Sequence, residues 1–255
     1  MERNRDGYTS PLSTRYASRE MQYLFSDNNK FRTWRKLWIA LAKAEKQLGL
    51  DITDAQIAQL ESHADDVNYD VAEAREKQVR HDVMSHVYAY GQQCPDAEAI
   101  IHLGATSCYV GDNTDVIILR DAARLVLRKC AQVLRNLAAF ADQYKLLPCL
   151  AYTHLQPAQL TTVGKRATLW MNELVMDVEN LEYQVSALGL RGVKGTTGTQ
   201  ASFMELFDGD EEKVKSLERL VAEQVGFDKW VPVSGQTYSR KVDAYFLGAL
   251  SGIAQ

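Results

Sequence analysis

We start from YTHLQPAQLTTVGKR, the stretch Tyr152–Arg166, on which the fold prediction depends. It follows Pro148 and opens a long helical pattern, and Pro157 suits the first turn of a helix because proline has no N–H and a preset φ. This predicts that Thr153 and His154 lie just ahead of a helix N-terminus. There the helix dipole disfavours an imidazolium, so a protonated ring is a stronger proton donor. The alternative is a helix-approach loop whose histidine only bonds the backbone.

Two long helical patterns flank this stretch and predict an all-α fold built on a bundle of long helices. The first runs from Val116 to Tyr144 without glycine or proline, and the second from Ala158 to Leu188. Both exceed the usual globular helix, and their apolar residues recur at spacings of three and four. No strand signal competes in these stretches, so we expect the two helices to pack together.

Shorter helices are predicted on either side of the two long ones. Glycine, proline and capping residues mark their ends, and in particular Thr53 is a plausible N-cap. The predicted ranges are Phe31–Leu48, Thr53–Leu60, Asp70–Tyr90, Phe203–Phe207, Asp210–Val225 and Val242–Ile253. We expect an N-terminal helical domain over residues 1–106 and a bundle domain over 107–255. Because the last pattern is still apolar at Gln255, we expect the bundle domain to be truncated.

Composition and charge exclude several classes of protein. The net charge of −4 gives no global basic field for nucleic acid. The four cysteines do not have zinc-site or Cys-x-x-Cys spacing, and scattered single thiols indicate a reducing compartment. The polar N-terminus has no signal core, and no apolar run approaches the roughly 18 residues of a membrane span. These features predict a cytoplasmic protein without a membrane partner.

Two groups of charged residues are candidates for binding an anionic substrate. Arg15 beside Tyr16 can hold a phosphate through a guanidinium fork and a phenol hydroxyl. Arg80, His81 and Asp82 lie at the edge of the apolar line of the helix predicted over Asp70–Tyr90. The alternatives are an ordinary surface arginine with a packed tyrosine, and a charged helix face. The spacing of Asp82 and His86 can mimic a metal site, but no metal motif supports one.

Polar loops ahead of helices supply further candidates. Thr106 and Ser107 can donate hydroxyl and backbone hydrogen bonds to a carboxylate, or can simply cap the helix that follows. Gly192–Gly198 can approach a ligand with its backbone, although Lys194 precedes its glycine and so rules out a P-loop. Gln236 is placed ahead of a helix, as Thr153 and His154 are predicted to be.

Several of these segments together carry a family resemblance. GATSCYVGDNTD from Gly104, THLQPAQLTTVGKR from Thr153 and GVKGTTGTQ from Gly192 resemble the fumarase/aspartase superfamily of elimination enzymes. STRYAS from Ser13, RHD from Arg80 and SGQTYSRK from Ser234 narrow the resemblance to the adenylosuccinate lyases. It extends from about Tyr8 to the last residue, and six motifs in the right order make it specific.

The resemblance implies a reaction and a role for each candidate. The family releases fumarate by β-elimination from adenylosuccinate and from the succinylated imidazole-carboxamide ribotide of purine synthesis, without a metal or organic cofactor. His154 matches its general acid, and Thr153 beside it is a substrate-binding candidate. The other candidates match its substrate-binding residues: Arg15 and Tyr16 for phosphate, the triplet Arg80, His81 and Asp82, the hydroxyls of Thr106 and Ser107 for a carboxylate, and Gln236. The family is a homotetramer whose active sites combine residues of several subunits.

One element of the family pattern is missing from these residues. The general base of the family is a serine in a Ser-Ser-x-Met-Pro-x-Lys-x-Asn motif, and that motif does not occur in the sequence. The resemblance therefore implies the acid half of a site, and we expect this chain alone to turn over little. Two alternatives stay open: another fumarate-releasing lyase such as argininosuccinate lyase, or a non-catalytic helical assembly module.

Overall fold

The computed structural model describes residues 10–255, which form ten α-helices and one two-stranded sheet. The turn-rich segment at Tyr8 lies outside these residues. The helices and strands, in chain order, are α1 Arg19–Leu24, α2 Asp27–Gln47, α3 Asp54–Ser62, α4 Tyr69–Val79, α5 Asp82–Gln93, α6 Ser107–Gln143, β1 Pro148–Thr153, β2 Gln156–Thr162, α7 Val163–Ala187, α8 Ala201–Leu206, α9 Glu211–Gln224 and α10 Lys241–Ala254. The predicted all-α class is confirmed, apart from the small sheet.

The described residues divide into two compact units. Unit 1 contains 10–118 and Gly189–Ser239, and unit 2 contains Leu119–Leu188 and Arg240–Gln255. The long helix α6, 37 residues in length, belongs to unit 1 up to Ile118 and to unit 2 beyond it. Contacts therefore group 189–239 with the N-terminal residues, whereas the sequence grouped it with the long helices. The proposed domain boundary at residue 106 stays a prediction.

Unit 1 is organised around α2, whose apolar residues recur at helical spacing. Trp34, Leu37, Trp38 and Leu41 are buried, and α3 and α9 pack against this helix. The Tyr109 hydroxyl at the start of α6 donates to the Leu37 carbonyl (2.8 Å). Burial of this many aromatic and branched side chains supplies the main stabilising term of the unit.

The shorter predicted helices are confirmed, with one exception. Thr53 caps α3 in a reciprocal capping box with Gln56, as its position predicts. The single helix predicted over Asp70–Tyr90 is wrong, because α4 ends and α5 begins within it. Arg80 adopts the left-handed conformation (φ 54°) that ends α4, and His81 caps α5. The apolar line from Val79 to Val83 is therefore broken, and Val79 is exposed.

Residues 148–162 form an antiparallel β-hairpin. The sequence predicted a helix start in this segment, and that prediction is wrong. β1 pairs with β2 from Pro148 opposite Thr162 to Thr153 opposite Gln156. Its two turn residues, His154 and Leu155, both have positive φ (50° and 61°), as a type I′ turn requires. Pro157 is tolerated because both strands of a two-stranded sheet are edges. Helix α7 begins only at Val163, with Thr162 as its N-cap.

The hairpin brings the chain back onto the end of α6 within unit 2. The Gly164 N–H donates to the Tyr144 carbonyl (3.0 Å), and the Val163 N–H donates to the Leu147 carbonyl (3.0 Å). A Cβ atom at position 164 would overlap the Ala141 carbonyl oxygen, so only glycine permits this approach. The helix α10 packs against α7 and completes the described part of the unit.

Glu45 is a fully buried carboxyl in α2 whose two side-chain oxygens have no hydrogen-bond partner among the described residues. Burial raises its pKa to about 9. The folded chain therefore keeps a proton that the unfolded chain loses once the pH exceeds the ordinary value of 4.5. Glu45 consequently reduces the free energy of unfolding progressively as the pH rises from about 4.5 to about 9.

We predict that Glu45→Gln removes this contribution to the pH dependence. Between pH 5 and 8.5, the stability of the wild type should fall relative to the variant by roughly 1.4 kcal/mol per pH unit. Urea unfolding at several pH values measures the difference in free energy of unfolding between the two proteins. The contributions of the histidines cancel in that difference because both proteins contain them. Glu73→Gln, at an exposed position of α4, is the matched control and should follow the wild type. Equal slopes for wild type and Glu45→Gln would contradict the assignment.

Candidate active site

The candidate residues fall into two groups that lie in different compact units. Arg15, Tyr16, the Arg80–Asp82 triplet, Thr106, Ser107 and Gln236 belong to unit 1, whereas Thr153 and His154 belong to unit 2. All are exposed except Asp82 and Ser107, which are half-buried, and Thr106, which is buried.

Arg15 and Tyr16 lie in a short π-helical turn, Leu12–Tyr16, close to the start of the described chain. Tyr16 is 76% exposed, so it is not the packed tyrosine of the alternative interpretation. The phenol and the guanidinium are both accessible to a ligand. Their assignment as a phosphate-binding pair stays a prediction.

The Arg80–Asp82 triplet occupies the break between α4 and α5, where no ordinary helix face exists. The His81 ring accepts a hydrogen bond from the Met84 N–H through Nδ1 (3.4 Å), which leaves Nε2 to carry the proton of the neutral ring. The Asp82 carboxylate accepts from the Val83 N–H (2.7 Å). Since Nδ1 is an acceptor, its 3.8 Å separation from Asp82 Oδ1 is not a hydrogen bond.

His102 is a polar residue of unit 1 that the sequence analysis did not single out. The Trp38 Nε1–H donates to His102 Nδ1 (2.9 Å), so this tautomer keeps its proton on Nε2. Burial lowers the pKa of His102 to about 4. His102 is thus a neutral ring whose proton lies on Nε2. Its place just before the Gly104–Ser107 segment was the one available sequence signal.

Thr106 and Ser107 lie at the first turn of α6, which starts earlier than the sequence predicted. The Tyr109 N–H donates to the Thr106 carbonyl (2.8 Å). The first N–H groups of a helix this long point toward Thr106 and Ser107 with the positive end of the dipole. Thr106 and Ser107 thus lie at a helix N-terminus, whereas His154 does not.

Thr153 and His154 lie at the tip of the β-hairpin. Both are exposed, and His154 has a left-handed backbone that aims its side chain from a turn rather than from a helix start. The proposed effect of a helix dipole on His154 is wrong because α7 begins well beyond it. The neighbouring Leu155 is 95% exposed.

A buried polar network joins the Gly192–Gly198 loop to two of the candidate segments. The Arg191 guanidinium is fully buried and donates to three carbonyls, those of Gln236 (2.8 Å), Lys194 (2.9 Å) and Gly195 (2.8 Å). The Ser202 hydroxyl donates to the Gly104 carbonyl (2.7 Å), two residues before Thr106. The Tyr238 N–H donates to the Asp112 carboxylate in α6 (3.0 Å), which ties the Gln236 loop to that helix within unit 1.

Lys194 and Glu218 form a buried ion pair beneath this loop. The Lys194 ammonium also donates to the carbonyls of Arg191 (3.0 Å) and Val231 (2.7 Å). Burial raises the pKa of Glu218, and the hydrogen bond and charge of Lys194 oppose that effect. On the other side of the loop, Asn113 bonds both the N–H and the carbonyl of Gly192 (3.2 Å each).

Gly198 brings the Gly192–Gly198 loop directly against the segment that carries Gln236. Its φ is +80°, and a Cβ atom there would overlap the Ser234 carbonyl oxygen. The close approach is to another loop of the same unit, and the predicted approach of these glycines to a ligand stays a prediction. Sequence reasoning missed Arg191 and Lys194, whose only signal was a charge between buried apolar residues.

The described residues do not form a metal site or a disulfide. His86, considered with Asp82 for a metal, is buried and stacked on Phe31 (3.8 Å between centroids), and burial lowers its pKa to about 4. Within residues 10–255, no three His, Cys, Asp or Glu side chains are arranged to hold a metal ion, and no helix is long and apolar enough to cross a membrane. All four cysteines are free thiols.

Comparison with known proteins identifies close relatives. A family model described as Lyase matches residues 11–254. The chain is 56% identical over 252 residues to the adenylosuccinate lyase of Saccharomyces cerevisiae, covering 98% of this chain and 52% of the relative. It is 53% identical to that of Schizosaccharomyces pombe, covering 96% and 51%. The chain thus spans about half the length of the curated relatives it matches.

A solved structure shares the fold at low sequence identity. The 3-carboxy-cis,cis-muconate lactonizing enzyme from Pseudomonas putida superposes with a TM-score of 0.81 at 23% identity, covering 95% of this chain and 55% of that one. At this identity the similarity shows the arrangement of helices alone. The superposed part of this chain includes the long helices that the sequence predicted.

We predict that the Lys194–Glu218 pair stabilises the loop cooperatively. Lys194→Met leaves a buried carboxylate without its cation and should cost about 3–5 kcal/mol in the free energy of unfolding. Lys194→Met combined with Glu218→Met should be more stable than Lys194→Met alone, because the uncompensated charge is gone. Urea unfolding of the wild type, both single variants and the double variant measures the coupling. Additive losses would contradict the interaction.

Proposed function

This chain belongs to the lyase family, and from that premise we propose that it carries the proton-donor side of an adenylosuccinate lyase. The substrate is a nucleotide that bears a succinyl group on nitrogen, either adenylosuccinate or the succinylated aminoimidazole carboxamide ribotide. The reaction is a β-elimination that gives fumarate and the free amine, a carbon–nitrogen lyase step of purine and AMP biosynthesis. The observation that carries the proposal is the high identity to curated adenylosuccinate lyases along nearly the whole chain.

The chemistry needs an acid, a base and fixed donors. Removal of the proton next to a carboxylate forms an aci-carboxylate dianion, which hydrogen-bond donors must stabilise. The departing nitrogen takes a proton as the C–N bond breaks, and an imidazolium can supply it near neutral pH. We assign that proton to His154, positioned beside Thr153. Exposure of His154 at a turn supports this assignment because a general acid must reach the substrate.

The remaining candidates are assigned to substrate binding. Arg15 and Tyr16 are proposed to bind the phosphate, and Arg80, His81 and Asp82 the nucleotide. Thr106 and Ser107 are proposed to bind a carboxylate of the succinyl group, which the N-terminus of α6 favours electrostatically. We add His102, because its Nδ1 accepts from Trp38 and its neutral ring therefore carries the proton on Nε2. Gln236 completes the set as a polar contact on a loop fixed by Arg191.

The general base is proposed to come from the part of the relatives that this chain does not match. The serine-containing motif of the family is absent from the 255 residues. Neither Ser107 nor Ser202 is assigned as a base, since the first is placed at a helix start and the second donates to the Gly104 carbonyl. We therefore expect the chain alone to show little turnover.

Assembly into a homotetramer with shared active sites is also proposed. Unit 2 exposes large apolar side chains on the hairpin and on α7, among them Tyr152 (60%), Leu155 (95%), Trp170 (58%) and Met176 (62%). Exposed apolar area of this kind marks interaction surfaces. A cytoplasmic location is proposed with it, from the four free thiols.

Two alternatives are separated from this proposal by substrate. Argininosuccinate lyase also releases fumarate, but Arg15, Tyr16 and the Arg80–Asp82 triplet favour a phosphorylated substrate. A helical assembly module without chemistry would bind neither substrate. The three are distinguished by the release of fumarate from adenylosuccinate and from argininosuccinate. Both are measured side by side on a chimera in which a relative supplies the half that this chain does not match.

We predict that a chimera, in which this chain replaces the matching half of the S. cerevisiae relative, releases fumarate from adenylosuccinate. In that chimera, His154→Ala should lower kcat roughly 10²–10⁴-fold, because the leaving nitrogen loses its proton donor. His63→Ala removes another histidine, bonded to Asp66 at the surface, and should leave kcat unchanged. Unfolding midpoints should be similar for both variants. Full activity of His154→Ala would refute the acid role.

A further inference from the structure

We propose that Asp112 is a positioning residue for the candidate substrate contact Gln236. Asp112 is a buried carboxylate in the second turn of α6, the helix whose start carries Thr106 and Ser107. It bonds the loop that carries Gln236 and so holds that loop at a set place relative to the helix. The role of Gln236 as a contact to a succinylated nucleotide rests on the proposed function, whereas the tether to its loop rests on the geometry.

Asp112 holds the Gln236 loop through a main-chain donor. Its Oδ2 accepts from the Tyr238 N–H at 3.0 Å, and the bond is buried. Hydrogen bonds from an N–H to a carboxylate are stronger than neutral ones, and burial protects them from competition by water. Tyr238 is itself buried and lies two residues beyond Gln236, whose side chain is exposed. The bond therefore fixes the backbone next to a side chain that a ligand can reach.

The same loop is also bonded by Arg191. Its Nε donates to the Gln236 carbonyl at 2.8 Å, and its other two donors bond carbonyls of the Gly192–Gly198 loop. Burial lowers the pKa of Arg191, and the charge of Asp112 is among those that oppose this effect. Asp112 thus bonds the Gln236 loop directly and favours the charged form of the second group that bonds it.

Asn113 in α6 closes these contacts into a ring. Its side-chain amide bonds both the N–H and the carbonyl of Gly192 (3.2 Å each), and Gly192 follows Arg191 in the chain. From α6 the contacts run through the Gln236 loop to Arg191, and from Gly192 back to α6. A closed ring of buried hydrogen bonds, with a helix as one side, leaves the backbone of the Gln236 loop little freedom relative to α6.

Helix α6 relates the position of the loop to the other candidate contacts. Asp112 lies five residues beyond Ser107, which is about 7.5 Å along the axis of an α-helix. The distance from the donors proposed at Thr106 and Ser107 to the contact proposed at Gln236 therefore depends on the bond at Asp112. Such distances matter because a misplacement of about 1 Å can cost an active site roughly a hundredfold in rate.

Thr114 provides a matched control in the same helix. It is buried, and its hydroxyl has no hydrogen-bond partner among residues 10–255. Thr114→Val removes this hydroxyl and keeps nearly the same shape. It therefore changes a buried polar position of α6 without removing a bond to either loop.

The first measurement is hydrogen exchange of the Tyr238 amide in this chain. Asp112→Ala removes the acceptor and should speed exchange roughly tenfold or more, whereas Asp112→Asn keeps an acceptor oxygen and should retain most of the protection. Thr114→Val should exchange like the wild type. Asp112→Val, which fills the space without an acceptor, replaces the alanine variant if that variant does not fold. Unchanged protection of the Tyr238 amide in both variants that lack the acceptor would overturn the tether.

The second measurement uses the chimera with the S. cerevisiae relative. Asp112→Ala should raise KM for adenylosuccinate roughly tenfold and change kcat much less, because Gln236 is assigned to substrate binding and not to proton transfer. Asp112→Asn should restore most of the affinity, and Thr114→Val should have the KM of the unmutated chimera. A KM that stays the same in Asp112→Ala and Asp112→Val would overturn the positioning role.

A double-mutant cycle shows whether Asp112 acts through Gln236. Gln236→Ala should raise KM by itself. If Asp112 acts by positioning that side chain, Asp112→Ala should raise KM by less than about twofold once Gln236 is already alanine. Equal effects of Asp112→Ala with and without Gln236 would show a general structural role and would contradict the proposal.

Failure of this inference and failure of the proposed function give different results. If the unmutated chimera releases fumarate and the variants without an acceptor at position 112 keep its KM, the positioning role is wrong and the lyase function stands. If the unmutated chimera is inactive, the lyase function is wrong, and the substrate role of Gln236 is overturned with it. Exchange of the Tyr238 amide decides the tether in either case.

Discussion

The buried guanidinium of Arg191 is the interaction on which the candidate site of unit 1 depends. It reaches three carbonyls on two loops, those of Gln236, Lys194 and Gly195. A buried charge is costly unless its donors are satisfied, and burial lowers the pKa of this arginine. Folding must therefore close the loops around it in one arrangement, which is what a site with fixed donors requires.

The buried ionisable groups of unit 1 differ in how they are compensated. Lys194 and Glu218 face each other, whereas Glu45 lies in the core of α2 without a partner among the described residues. His102 is neutral and held by Trp38. Arg35, also buried in α2, is compensated by the carbonyls of His63 and Asp66 and by the Gln93 side chain. Glu45 is thus the exception among these groups.

Helix periodicity predicted most of the fold, because apolar residues at spacings of three and four are a strong local signal. The β-hairpin was missed for a physical reason. His154 and Leu155 occupy a type I′ turn without the Asn-Gly pair that usually marks it, and Pro157 suits an edge strand as well as a helix start. The break at Arg80 was missed because its left-handed cap is not a glycine.

Sequence motifs were sufficient to name the candidate residues. They did not predict the structural environment of those residues. Exposure of His154 and Gln236 and the early start of α6 at Ser107 follow from tertiary contacts that no local pattern encodes. Lys194 was considered only when a P-loop was excluded and Arg191 was not considered, since both side chains bond carbonyls far away in the sequence. Long-range polar contacts are the part of this site that one sequence does not reveal.

The most direct test of the central claim is hydrogen exchange at single amides of the two loops. If Arg191 and its partners hold the loops rigidly, the paired N–H groups of Gly192, Gly195 and Tyr238 exchange slowly while those of Thr196 and Thr237 exchange quickly. Similar fast exchange at all five amides would mean that the loops are not fixed, and would contradict the account.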